Sequence, residues 1–432
     1  MRGFVSSPQP PATGAIPPGT MLLIGICTLV YFLDGLIHSI LGPLAPDIAR
    51  NLSLTDAQLG PIFSANLAGQ CIGLILLPLL ASRVGQRLVV VIAVAGFGLA
   101  QGASALSESG GALVFWRLLT GFFLGGCLPS CLALVTAAAP EARRGFAIMV
   151  LFTGYGSGAA VAGLVAAAFI GSGGWRMAMV AVGCACILAA VAAWAWLHEE
   201  SHQTAESGSP APVRSSPLLI LAPRYVLGTL MLWLLFICML TVSYCLNSWL
   251  PTLLVKVGRT AEFAALSVSI FSFGGIVAAL GIGLLIDRLG AIRTLVTFVS
   301  AGAALLYLVG QVLATAQAST LLVLLAACGF CVLGAYGGVN VVLASFYPAP
   351  LRAVGIGWAK SIGRAGTLIA PILIGAALTA GIAETSIMSL FAIPALCAVA
   401  SLLAIAAGTG TRIRNSVGAL GDQDRIGAAK GE

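Results

Sequence analysis

The 432-residue chain is 59% hydrophobic and only 8% charged, with a mean hydropathy of +1.06. A soluble domain carries roughly 25% charged residues, so the composition excludes a water-soluble fold and points to a polytopic membrane protein. The net charge of +7 is scattered through loops rather than gathered into a patch, which excludes a nucleic-acid-binding surface.

Residues 1–20 are rich in Pro, Ser and Gly and carry one charge, Arg2. They read as a disordered cytoplasmic tail without a cleavable signal peptide. A bilayer core takes about 20 apolar residues per helix, and twelve runs of that kind follow. They lie at 21–44, 57–80, 88–107, 112–137, 145–171 and 177–197, then 226–248, 263–286, 294–315, 319–344, 354–381 and 388–408. The second opens on "TDAQ", where Thr55 and Gln58 fit a capping box. Between the sixth and seventh runs, "HEESHQTAESGSPAPVRSSP" begins a polar linker, 198–225, which separates an N-terminal six-helix bundle (21–197) from a C-terminal one (226–408). Residues 409–432 form a second cytoplasmic tail.

With both termini placed inside, fourteen Lys and Arg residues fall on the cytoplasmic side and four outside, leaving three within spans. The positive-inside rule therefore selects N-in and C-in, and the expected location is a bacterial inner membrane. All eleven cysteines sit in apolar runs without nearby His or carboxylate partners. They read as packing residues, so no metal and no cofactor is expected. No nucleophile–base set or phosphate loop is present either, and an enzyme is not expected.

A loop repeats between the halves. "LLASRVGQR" follows the second span and "LLIDRLGAIR" the eighth, each with Arg, then Gly two residues on, then a final Arg. Duplicated halves are a transporter signature. The second loop, through Gly283, Asp287, Arg288, Gly290 and Arg293, resembles that of the major facilitator superfamily. Finer stretches are similar to one branch, the aromatic acid:proton symporters: "RLLTGFFLGGCLPS" (117–130), "PEARRGFAIMVLFTGYGSGAAVAG" (140–163), "NSWLPTLL" (247–254) and "FYPAPLRAVGIGWAKSIGRAG" (346–366). The resemblance covers essentially the whole chain. It implies an all-α fold of twelve transmembrane helices in two pseudo-symmetric six-helix bundles. It also implies that Arg83, Gly85 and Arg87, with Asp287, Arg288, Gly290 and Arg293, form ion pairs and turns that gate the cytoplasmic face. This chain departs from the branch in two places. The first-span D-G-x-D becomes Asp34-Gly35-Leu36-Ile37 followed by His38, and Ser82 and Pro78 replace an acid and a glycine in the first loop.

Ionisable residues inside a bilayer are expensive and default to functional candidates. Asp34 is the one acid well inside a span, accompanied by His38, Arg117, Lys360 and Arg364. Asp34 and His38 share one helix face, and Lys360 and Arg364 another. Asp34 is the candidate proton carrier, with His38 as its relay. Arg117 and Arg364 are candidate forks for a carboxylate, with helix bracing as the alternative role; Lys360 either joins them or snorkels to the interface. Tyr155, Tyr244, Asn247, Tyr336 and Asn340 are candidate ligand contacts, and Gly154, Gly158 and Gly163 read as packing or gating glycines. The resemblance places Asp34, His38 and Arg117 on the cavity wall, with span eleven behind it. The expected function is proton-coupled uptake of an organic anion, an aromatic carboxylate, by a monomer. The alternatives are a proton-driven exporter of a hydrophobic compound, disfavoured for cationic cargo by the excess of embedded cations, and a non-transporting sensor, for which the C-terminal tail is too short.

Overall fold

The computed structural model describes residues 17–197 and 217–407. The expected tails with Arg2 and most of the linker lie outside the described residues. Among the described residues, twelve helices are long and apolar enough to cross a membrane: α1 (Pro18–Asn51), α2 (Asp56–Val84), α3 (Gln86–Ala103), α4 (Gly110–Ala138), α5 (Arg144–Ile170), α6 (Gly174–Trp196), α7 (Val226–Lys256), α8 (Ala261–Leu289), α9 (Ala291–Val312), α10 (Ala318–Phe346), α11 (Ala349–Thr379) and α12 (Glu384–Ala407). A single turn residue, Phe391, interrupts α12.

The helices match the expected spans in number and order, and the largest differences are at α1 and α7. Both run about two turns past the apolar runs, to Asn51 and Lys256. Pro43, Pro46 and Pro251 lie inside them. Neighbours bury these extensions at Leu44, Ala45 and Ile48 of α1 and Leu250, Leu253 and Leu254 of α7, so tertiary packing carries the helix past the point where hydropathy ends. At the start of α2, the Thr55 N–H donates to Gln58 Oε1 at 2.9 Å, the reciprocal half of the expected capping box.

Without a hydrophobic force to drive association in lipid, helices approach through small residues. Gly69 and Gly73 of α2 meet the backbone of α4 at Leu118 and Phe122, and Gly154 and Gly158 of α5 meet α1 at Thr28 and Phe32. Six helices on, Gly274 of α8 meets α10 at Ala326, and Gly329 of α10 meets α8 at Phe271. The α2–α4 contact thus recurs as α8–α10.

The last residues of the expected linker are structured. Pro217–Leu221 forms a short 3-10 turn. The Thr229 hydroxyl of α7 donates to the Ile220 carbonyl at 2.7 Å and accepts from the Tyr347 hydroxyl at 2.9 Å. This chain of bonds fastens the turn to α7 and to the end of α10.

Candidate functional site

On α1, Tyr31, Asp34 and His38 fall at spacings of three and four, one face of the helix. Asp34 is 2% exposed, and among the described residues its carboxylate has no hydrogen-bond or ion-pair partner. His38 is partly exposed, yet its Nδ1 is buried without a partner. Aromatic rings enclose this face. Tyr31 lies 5.3 Å from Tyr155 between centroids, and the His38 imidazole lies 5.9 Å from Tyr155 and 5.3 Å from Tyr244. Tyr155 belongs to α5 and Tyr244 to α7, so His38 stands where the first six helices meet the second six. Gly35 makes this possible, because its missing side chain lets the α5 backbone at Tyr155 come into contact.

Arg364 of α11 reaches this region. Its Nη1 donates to Gln70 Oε1 of α2 at 2.8 Å, and its charge acts on both Asp34 and His38. α11 packs on α2 and α7, which brings Arg364 to the junction of the halves. Lys360, one turn away on the same helix, is exposed.

Arg117 behaves differently. It is fully buried, and its Nη2 donates to Gln101 Oε1 at 2.6 Å and Ser104 Oγ at 2.8 Å, with Thr120 Oγ1 at 3.5 Å. Gln101 and Ser104 lie on α3 and just past its end, so these bonds tie α4 to α3. Nε and Nη1 have no partner. Of the remaining candidates, the Tyr244 hydroxyl is committed to the Phe63 carbonyl at 2.8 Å. The Asn340 amide nitrogen turns back on its own helix at the Tyr336 and Gly337 carbonyls, leaving Oδ1 buried and unpaired. Asn247 lies one turn along α7 from Tyr244, where its backbone meets Gly42 of α1.

The two repeated loops share a backbone conformation but form no latch. Gly85 and Gly290 close α2 and α8 at φ 89° and 85°, left-handed values that a side chain resists. Among the described residues, however, Asp287 makes no ion pair, and Arg83, Asp287, Arg288 and Arg293 are exposed. Arg87 instead donates to the Trp194 carbonyl at 2.6 Å and lies over that indole, fastening α3 to α6. Ser82 bonds back to Leu79 of its own helix at 2.8 Å. Among the described residues, the expected ion pairs of these loops are not formed in this conformation.

The halves meet at the opposite end. There Lys256 pairs with Asp56 at 2.7 Å, and the Ala57 N–H donates to Thr379 at 3.1 Å. Ser64 donates to the Leu368 carbonyl at 2.6 Å, and the Leu164 N–H to Ser269 at 2.9 Å. Gly42, Gly60, Gly163 and Gly375 put backbone against backbone across the same seam. Among the described residues these contacts close the molecule at this end.

The family model of the Major Facilitator Superfamily matches residues 27–371. The chain belongs to this superfamily. It is 30% identical over 410 residues to the gallate transporter of Pseudomonas putida, covering 89% of this chain and 91% of that one. It is 33% identical over 373 residues to the 4-hydroxybenzoate transporter PcaK of the same species, covering 80% and 83%. A crystal structure of a D-xylose-proton symporter superposes with a TM-score of 0.71 at 17% identity, over 89% of this chain and 97% of that one. The gallate and 4-hydroxybenzoate transporters match the aromatic acid branch that the sequence motifs resemble.

The chain is a multi-pass transporter of this superfamily, and Asp34, His38, Tyr155 and Tyr244 gather at the junction of its two sets of six helices, where secondary transporters commonly place their sites. Sequence reasoning missed the placement of two groups. Tyr31 lies on the Asp34 face, and its spacing of three and seven from Asp34 and His38 was the available signal. The Asp56–Lys256 pair joins residues 200 positions apart in hydrophilic span ends, and nothing local announces it.

Proposed function

We propose that this transporter carries an aromatic carboxylate together with a proton, by alternating access between the state described and one open at the opposite end. Arg364 takes the substrate carboxylate through its planar fork, and Tyr155 and Tyr244 flank the ring by edge and offset contacts. Asp34 carries the proton. A buried carboxylate without a donor is costly, and binding a proton removes that cost. Moving one proton with a singly charged anion makes the step electroneutral and lets the proton gradient drive accumulation. Arg117 braces α3 against α4. The loop end is cytoplasmic by the distribution of Lys and Arg, so the conformation is inward-open. The working unit is a monomer in a bacterial inner membrane, built from bundles 21–197 and 226–408.

The observation that carries this reading is the unpaired Asp34 within electrostatic reach of Arg364, beside a cluster of tyrosines at the junction of the halves. Transport of gallate and 4-hydroxybenzoate by similar proteins supports the substrate class. In proteoliposomes, uptake of labelled 4-hydroxybenzoate should rise when the outside is acidified and collapse with a protonophore. Asp34→Asn should abolish accumulation while retaining counterflow exchange. Accumulation that survives in Asp34→Asn would overturn the proton assignment.

A further inference from the structure

His38 occupies the turn after Asp34, beyond the Ile37 that replaces the branch's second acid. We infer that His38 is a specificity-determining residue that hydrogen-bonds a ring hydroxyl of the substrate, selecting hydroxylated aromatic acids over unsubstituted ones. The inference rests on reading the cargo as an aromatic carboxylate.

Three observations carry it. Nδ1 of His38 is buried with no partner, a state that costs free energy unless a ligand supplies one. The imidazole lies against Tyr155 and Tyr244, so a ring flanked by those tyrosines presents its edge to His38. Arg364 of α11, bonded to Gln70 of α2 across the halves, supplies a cationic anchor for the carboxylate separate from the imidazole that meets the hydroxyl. A phenolic hydroxyl both donates and accepts, so it pairs with imidazole in either tautomer. The Tyr244 hydroxyl is already committed to the Phe63 carbonyl. An acid without the hydroxyl leaves Nδ1 unpaired, and unpaired buried polar groups reject such analogues far more strongly than a missing methylene does.

The test is competition in proteoliposomes against labelled 4-hydroxybenzoate, using unlabelled benzoate, 4-hydroxybenzoate and 3,4,5-trihydroxybenzoate. The wild-type protein should bind the hydroxylated acids about tenfold or more tightly than benzoate, the scale of one unpaired buried group. His38→Phe should erase that preference, so that the hydroxylated acids compete no better than benzoate, since the hydroxyl contact is lost. His38→Gln, which bonds a hydroxyl but cannot titrate, should restore the preference and keep gradient-driven accumulation. A wild-type protein indifferent to the hydroxyl overturns the inference without any variant. So does a His38→Gln protein that exchanges but no longer accumulates, which would make His38 a proton carrier. Failure of every aromatic acid to compete or be carried would instead sink the carboxylate reading beneath it.

Discussion

Replacing Gly60 by alanine should tip the transporter away from the conformation described. A Cβ at Gly60 of α2 would stand 2.7 Å from both the Ile372 Cα and the Pro371 carbonyl oxygen of α11. Carbon atoms pack at about 3.5–4.0 Å, and these neighbours are backbone, so the helices must part by roughly 1 Å. Overpacking of this kind costs about 1–3 kcal/mol. The cost falls on the closed seam alone, because alternating access requires that seam to separate in the other state. At tenfold per 1.4 kcal/mol, the equilibrium shifts about 5- to 150-fold toward opening at this end. Hydrogen exchange read by mass spectrometry should show faster exchange across residues 56–64 and 368–379, together with slower uptake. Gly69→Ala is the control. Gly69 contacts Leu118 within the first six helices, so its methyl should lower the melting temperature without redistributing protection between the ends. Unchanged exchange and unchanged uptake in Gly60→Ala would refute the seam as state-specific.

Two further perturbations separate bracing from binding. Arg117→Met strands Gln101 Oε1 in the α3–α4 contact, while Ser104 keeps its bond to the Ala100 carbonyl; it should cost about 1–3 kcal/mol in thermal unfolding and leave substrate affinity nearly unchanged. Lost affinity with an unchanged melting temperature would instead give Arg117 to the ligand. The Asp56–Lys256 pair is partly exposed, with side chains 18% and 34% accessible, so Asp56→Asn should shift the conformational equilibrium by only about 1 kcal/mol or less. That shift should shrink in high salt and not add to the effect of Lys256→Gln in a double-mutant cycle.

Hydropathy alone delivered the twelve spans and their order, since each span must satisfy its backbone internally and bury about 20 apolar residues in lipid. The rarity of embedded charge singled out Asp34, His38, Arg117, Lys360 and Arg364, because the energetic penalty of such residues is read directly from composition. Spacing then put Asp34 and His38 on one face. Sequence could not apportion roles among the arginines. Arg117 and Arg364 sit in equally apolar surroundings, and only packing shows that the first is bound to Gln101 and Ser104 while the second bonds Gln70 across the halves. Nor could it locate the seam. Gly42, Gly60, Gly163 and Gly375 look like any other glycines in a span until their partners on α7, α11, α8 and α2 are known. The repeated loop was visible as a motif and its glycines adopt matching turns, but its ion pairs depend on how far apart the loop ends stand. A transporter's conformation is a balance between two packings of one sequence, so the chain encodes both and the tertiary structure selects the one in view.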